Sequence, residues 1–95
     1  MHNNEVNKHV NIKVYGNIQG VYFRTHIEDS AKALDINGFV QNQPDGTVYI
    51  EAEGAAESVD RFIKKTKQGS DMSIVKRTII REGPIKDFVS FRIKH

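Results

Sequence analysis

The chain has 95 residues, of which 38% are hydrophobic and 27% are charged, and its formal net charge is +2 at pH 7. These values are typical of one globular domain with a single core, and they exclude a disordered chain. The sequence contains no cysteine, so neither a disulfide framework nor a catalytic thiol is available. The small net charge, without a clustered basic run, argues against a nucleic-acid partner.

The start of the chain is polar and lacks the apolar segment of a signal peptide, and no apolar run is long enough to cross a membrane. We therefore expect a cytoplasmic protein with no membrane partner. Residues 1–8 are expected to form a frayed tail, followed by a single domain over residues 9–95.

The first predicted elements are a strand and a helix. Val10, Ile12 and Val14 alternate with polar residues, which predicts a strand with one buried face. Apolar residues at helical spacing between Phe23 and Leu34 predict a helix of about 13 residues. Residues 35–38 should end it, because aspartate, asparagine and glycine tolerate the left-handed conformation.

The remaining elements are a hairpin, a helix and two strands. Residues 39–43 and 47–53 flank the turn sequence Pro-Asp-Gly, which predicts the hairpin. A second helix should begin at Gly54 and end within residues 68–71. Residues 73–81 predict a strand whose irregular alternation requires a bulge near residues 76–78. A short strand over residues 88–93 completes the chain.

This order of elements, β-α-β-β-α-β with a short C-terminal fifth strand, predicts an α+β sandwich of the ferredoxin-like type. In that fold one antiparallel sheet carries both helices on one face. Right-handed crossovers place the first strand and the loop after it in the middle of the sheet. The hairpin strand that contains Asn42 would bring its end to the same rim.

The loop between the first strand and the first helix predicts an anion site. Gly16 and Gly20 permit positive φ angles, which turn backbone N–H groups inward. These groups and the amino end of the helix should converge on one point, with the Arg24 guanidinium beside it, as a phosphate group requires. For a glycine pair alone, a tight connection with a solvated Arg24 would be the simpler interpretation.

Three motifs occur together here. Residues 14–24 read V-Y-G-N-I-Q-G-V-Y-F-R, residues 38–42 read G-F-V-Q-N, and residues 45–48 read D-G-T-V. In this combination the chain closely resembles the acylphosphatase family, whose motifs are V-x-G-x-V-Q-G-V-x-F-R, G-W/F-V-x-N and D-G-x-V. The resemblance runs from about Val10 to the end of the chain. Ile18 replaces the usual valine, Tyr22 replaces a residue that is often small, and Asp35 stands where a glycine is usual.

The resemblance implies an enzyme that hydrolyses an acyl phosphate to a carboxylate and inorganic phosphate, as a monomer without a metal or another cofactor. By this likeness Arg24 grips the phosphoryl group and Asn42 holds the attacking water. Inorganic phosphate would be both product and competitive inhibitor. The expected phosphate-binding residues are Asn17, Ile18, Gln19, Gly20, Val21 and Arg24, with Gly16 and Gly20 setting the loop geometry.

The chemistry agrees with what the sequence lacks. A carboxylate leaving group, with a conjugate-acid pKa of about 4, departs without a general acid or a metal. The chain accordingly has no P-loop motif, no metal-ligand spacing and no nucleophile beside a base. We expect Gln19 to brace the loop, Asp45 to serve the turn, and His26 to be an exposed helix residue.

Two other functions fit the same order of elements. A single-stranded RNA-binding module shares it, and residues 88–91 resemble the end of its aromatic signature, although on the last strand rather than the third. A catalytically silent domain that senses a ligand or binds a protein could also retain the anion loop.

Overall fold

The computed structural model describes residues 6–95. Its elements in chain order are β1 (Asn7–Asn17), α1 (Phe23–Ala33), β2 (Asn37–Asn42), β3 (Val48–Ala55), α2 (Ala56–Gln68), β4 (Ile74–Gly83) and β5 (Phe91–Lys94). Most of the predicted tail, residues 1–5, lies outside the described residues. Asn7 and Lys8 already pair with β3, so the first strand begins earlier than predicted.

The five strands form one sheet in the order β4-β1-β3-β2-β5. Each neighbouring pair among the four longer strands is antiparallel, as predicted, but β5 runs parallel to β2, so the sheet is mixed. The chain reverses once after β4 and reaches the opposite edge of the sheet. Because β2 is antiparallel to β4 in this arrangement, a strand that has turned back from β4 arrives parallel to β2. The ferredoxin-like arrangement of strands and helices is thereby confirmed, with a mixed sheet in place of a wholly antiparallel one.

The hydrophobic core lies between the sheet and the two helices. Alternate residues of β1 and β3 face the helices, and the register pairs Ile12 with Ile50 at the centre of this layer. The predicted buried faces of both helices are confirmed. Fully or almost fully buried core residues include Val10, Ile12, Val14, Val48, Ile50, Ala52, Phe23, Ile27, Ala31, Val59 and Phe62.

The irregular strand β4 contains the predicted bulge. Its register with β1 passes from Tyr15 opposite Arg77 to Gly16 opposite Val75, so that Lys76 is the extra residue. The insertion brings Val75 to the same face as Ile80, and both pack against the core. The single extra residue thus places the apolar side chains before and after the bulge on the same face of the sheet, although their spacing in the sequence is irregular.

The other face of the sheet is crossed by residues 84–90, which connect β4 to β5. The Glu53 carboxylate accepts hydrogen bonds from the backbone N–H groups of Lys86 (2.9 Å) and Phe88 (2.6 Å). The buried His9 ring lies between two carboxylates, with Nδ1 2.8 Å from Glu53 and Nε2 3.1 Å from Glu51. This charged cluster anchors the covering segment.

Several predicted boundaries shift by two or three residues. Helix α1 ends at Ala33, and Asp35 takes the left-handed conformation (φ 56°), as predicted. Asn37 was expected in the turn but begins β2, Gly54 belongs to β3 rather than to α2, and β5 begins at Phe91 instead of residue 88. Within residues 6–95, neither helix has the length and apolar character needed to span a bilayer.

Candidate active site

Residues 18–22 form the loop between β1 and α1. Gly20 and Tyr22 have positive φ angles of 75° and 59°, whereas Val21 between them does not. Alternation of this kind is found in anion-binding nests, where successive N–H groups point to one side. Within the described part of the chain, the amides of residues 18–22 donate no hydrogen bond to another protein group, and no side chain caps α1. The loop therefore retains a set of free donors.

Gly16 has a positive φ, as predicted, and it also meets a packing requirement that the sequence did not indicate. It lies in β1 opposite Val75, and a Cβ added to it would lie 1.9 Å from the carbonyl oxygen of Ile74. Two features therefore require glycine here: the positive φ of 146°, which was predicted, and the close approach of β4 to its backbone. Asn17 likewise pairs with Ile74 as the last residue of β1.

Arg24 lines a cavity of about 460 Å³ beside the loop, together with Gly20, Tyr22 and Thr25. The side chain is half-buried in the first turn of α1. Among residues 6–95, no carboxylate lies within ion-pair distance of its guanidinium. Its Nη1 atom lies 3.5 Å from Nδ1 of His95. The positive charge of Arg24 is thus available to an anion.

Asn42 lies at the end of β2 on the same rim. The β2–β5 ladder pairs Gln41 with Lys94, so the next position places Asn42 opposite His95, the residue that contacts Arg24. The side-chain oxygen Oδ1 of Asn42 is buried, and within residues 6–95 it accepts no hydrogen bond. A buried acceptor without a protein partner calls for a donor from outside the chain.

Gln19 connects the loop to the hairpin. Its Nε2 donates to the carbonyl oxygens of Gln43 and Thr47, both at 2.9 Å. This contact agrees with the predicted bracing role, and it fixes the loop relative to the residue that follows Asn42. The side chain of Gln19 is thus engaged with the turn. Only its backbone N–H is left to contact an anion in the loop.

The hairpin turn is held by Asp45, as predicted. The carboxylate accepts hydrogen bonds from the hydroxyl and the backbone N–H of Thr47, and it pairs with Lys13 at 3.2 Å. These contacts, the Thr47 hydroxyl first, lower the pKa of Asp45 to about 2. Asp45 therefore stays ionised as a structural group of the turn.

The prediction for His26 is wrong. The residue is half-buried, its ring lies 6.5 Å from that of Phe23, and its Nε2 atom is buried with no hydrogen-bond partner within residues 6–95. Helical periodicity placed it on the polar side of α1. The residue lines a cavity together with residues 70–72, so this side of the helix does not simply face solvent.

No metal centre accompanies the loop. Residues 6–95 contain no group of three or more histidine, aspartate or glutamate side chains arranged to hold a metal ion. The independence of the reaction from metals stays a prediction. The groups gathered at the rim are main-chain amides, one guanidinium and one carboxamide, which suit an oxyanion ligand.

Comparison with known proteins identifies the family of the chain. The acylphosphatase family model matches residues 10–93. An acylphosphatase of Archaeoglobus fulgidus is 37% identical over 84 residues, which cover 88% of this chain and 94% of that protein. The crystal structure of acylphosphatase from Bacillus subtilis superposes with a TM-score of 0.90 at 31% identity and covers 93% of this chain and 99% of that one.

The same fold also occurs inside a larger protein. The crystal structure of full-length HypF, in its phosphate- and nucleotide-bound form, matches all of this chain with a TM-score of 0.91 at 27% identity, although the match covers only 13% of HypF. The family model and the smaller relatives match almost from end to end. On this evidence the chain belongs to the acylphosphatase family.

Proposed function

We propose that this protein hydrolyses acyl phosphates to a carboxylate and inorganic phosphate, with its own side chains and main-chain amides as the whole catalytic apparatus. Membership of the acylphosphatase family supports the reaction. One observation supports the mechanism: within residues 6–95, loop amides without a partner, a guanidinium without a carboxylate partner and a carboxamide oxygen without a donor occupy the same rim of the sheet.

In this mechanism the loop and Arg24 hold the phosphoryl group. Phosphoryl transfer passes through a loose transition state whose negative charge lies on three equatorial oxygens. The free amides of residues 18–22 and the amino end of α1 supply fixed positive potential to these oxygens. The guanidinium of Arg24 adds a full charge, an effect worth about 10³- to 10⁵-fold in rate in related systems, or roughly 4–7 kcal/mol.

Asn42 orients the nucleophile. Its Oδ1 accepts a hydrogen bond from the attacking water, which directs a lone pair of the water oxygen to phosphorus. The bond from phosphorus to the acyl oxygen breaks as the new bond forms, and the carboxylate departs unprotonated. Because a carboxamide is too weak a base, a phosphate oxygen of the substrate takes the proton from the water.

Three further proposals accompany this mechanism. Inorganic phosphate, as the product that fits the loop, inhibits competitively. The protein acts as a monomer, since each group named above comes from one chain. The reaction takes place in the cytoplasm.

The experiment compares acetyl phosphate and benzoyl phosphate with a simple alkyl phosphate ester, with and without a chelator. We expect rapid, chelator-insensitive hydrolysis of the acyl phosphates alone. Arg24→Ala should lower kcat/KM by about 10³-fold or more and also weaken inhibition by inorganic phosphate. Asn42→Ala should lower kcat and leave phosphate inhibition unchanged.

Arg61→Ala provides a matched control. Arg61 is exposed on α2 and pairs with Glu57 one turn earlier at 2.8 Å, so its loss removes a positive charge away from the site. It should have wild-type kinetics. Equal loss of phosphate inhibition in the Arg24 and Asn42 variants would contradict the division of roles. Absence of acyl phosphate hydrolysis in the wild type would support the catalytically silent domain instead.

The structure weakens the RNA-binding alternative. Phe91 is 4% exposed and packs edge-on against Phe62, and Phe88 packs against His9 and Phe39. Stacking on bases requires exposed aromatic faces on the sheet. The two phenylalanines of the resembling segment are instead used in packing.

A further inference from the structure

A second cavity of about 460 Å³ adjoins the one that contains Arg24. It lies between the start of α1 and residues 70–72, and it shares Tyr22 and Thr25 with the first cavity. Met72 forms part of its opposite wall. A substrate whose phosphoryl group occupies the loop would therefore have room for its other end in this direction.

Tyr22 separates the two cavities, and nothing in the stability of the fold accounts for a tyrosine there. Its side chain is 83% exposed, its φ of 59° is left-handed, and it begins α1 without a side-chain capping bond. Glycine or asparagine would tolerate this conformation better, and serine, threonine, aspartate or asparagine would cap the helix better. An unfavourable residue held at the edge of a site is expected where it contacts a ligand.

The lining of the second cavity is mixed, and its apolar part, which an acyl group could cover, comes from Val21, Tyr22 and Met72. Met72, like Tyr22, is a large apolar side chain left mostly exposed, at 71%. Asp29 and Asp71, also in the lining, make this cavity unsuitable for a second phosphate or carboxylate group.

We propose that Tyr22 and Met72 form the binding surface for the acyl group, and that the enzyme thereby favours acyl phosphates with an aromatic or other large apolar acyl group over acetyl phosphate. This inference rests on the proposed function. The ring of Tyr22 packs against the acyl group while the phosphoryl group occupies the loop. Tyr22 is in this sense a specificity-determining residue, separate from the groups that hold phosphate.

The test measures the ratio of kcat/KM for benzoyl phosphate to kcat/KM for acetyl phosphate. Tyr22→Asn removes the ring and keeps a residue that tolerates positive φ, so the loop should keep its conformation. We expect the ratio to fall by about 3- to 10-fold, as the loss of an aromatic contact implies. Tyr22→Phe should retain the ratio, and the inhibition constant of inorganic phosphate should stay unchanged in Tyr22→Asn.

Val89→Asn is the matched control, because Val89 is equally exposed (87%) but lies in the segment that crosses the other face of the sheet. It should retain the wild-type ratio. An unchanged ratio in Tyr22→Asn would overturn the inference, as would a parallel loss of phosphate inhibition, which would show that Tyr22 acts through the loop. A wild type that hydrolyses neither compound would overturn the proposed function itself, and the inference with it.

Discussion

Gln19 offers the sharpest test of how the loop is held. In Gln19→Ala, the two hydrogen bonds from Nε2 to the carbonyl oxygens of Gln43 and Thr47 are lost. Both oxygens keep another donor, since Gly46 N–H bonds to the first at 3.1 Å and Gln43 N–H to the second at 2.9 Å. No buried acceptor is left unpaired, so the loss is the net value of two hydrogen bonds without a desolvation penalty.

Each such bond contributes about 0.5–1.5 kcal/mol net, and the exposure of Gln19 favours the lower half of that range. Two bonds therefore amount to about 1–2 kcal/mol. If the bonds hold the loop in the conformation that binds the transition state, kcat/KM should fall by about 5- to 30-fold. The hydrophobic core is untouched, so the variant should remain folded.

The assay is kcat/KM for benzoyl phosphate together with inhibition by inorganic phosphate, with circular dichroism as the check on folding. Gln19→Glu is the informative companion. It keeps the length of the side chain, but its carboxylate cannot donate to the two carbonyl oxygens and adds negative charge beside the anion loop. It should lose more activity than Gln19→Ala. A Gln19→Ala variant within 2-fold of wild type, or a Glu variant no worse than the Ala variant, would refute the reasoning.

Three further predictions concern stability. Gly16→Ala should destabilise the fold by more than about 2 kcal/mol in urea unfolding, because its Cβ would lie 1.9 Å from a carbonyl oxygen of β4; wild-type stability would show that β4 can move away. Phe62→Ala should cost about 3–5 kcal/mol by the same measurement, since the ring is fully buried, and a loss below 1 kcal/mol would mean that the core collapses around it. Burial alone would raise the pKa of Glu53, but hydrogen bonds from the Lys86 amide and from His9 outweigh it, so the pKa is lowered. The stability that this adds is present above the ordinary glutamate pKa and is lost as pH falls through the lower folded value. Glu53→Gln should flatten the dependence of unfolding free energy on pH below the ordinary glutamate pKa, and an unchanged slope would exclude Glu53 as its source.

The sequence predicted best what depends on neighbouring residues. Alternation in β1 and β3 identified the buried faces, and the broken alternation in β4 predicted the bulge at Lys76, because both follow from the geometry of an extended chain. The sequence also predicted the loop and the position of Arg24. The predicted boundaries of β1 and α1 place this residue in the first turn of the helix, beside the loop. That Asn42 lies on the same rim required only the predicted topology.

The features that the sequence did not predict depend on contacts between segments that are distant in the sequence. Hydropathy treats the glutamates of β3 as outward-facing, and only the path of residues 84–90 makes Glu51 and Glu53 buried partners of His9. The close approach of β4 to Gly16 is a contact between distant strands. The parallel direction of β5 depends on the edge of the sheet that the chain reaches after β4, which no local pattern specifies.

The order of strands also affects how quickly the protein folds to an active state. β1, from which the anion loop extends, pairs on one side with β4, so that Asn17 meets Ile74 and His9 meets Gly83. Such pairings close long segments of chain, and the conformational entropy of the chain is lost before the strand contacts that offset it have formed. Folds of this kind therefore form slowly for their size. Recovery of turnover after dilution from denaturant should therefore accompany the last step of refolding rather than the early appearance of helix.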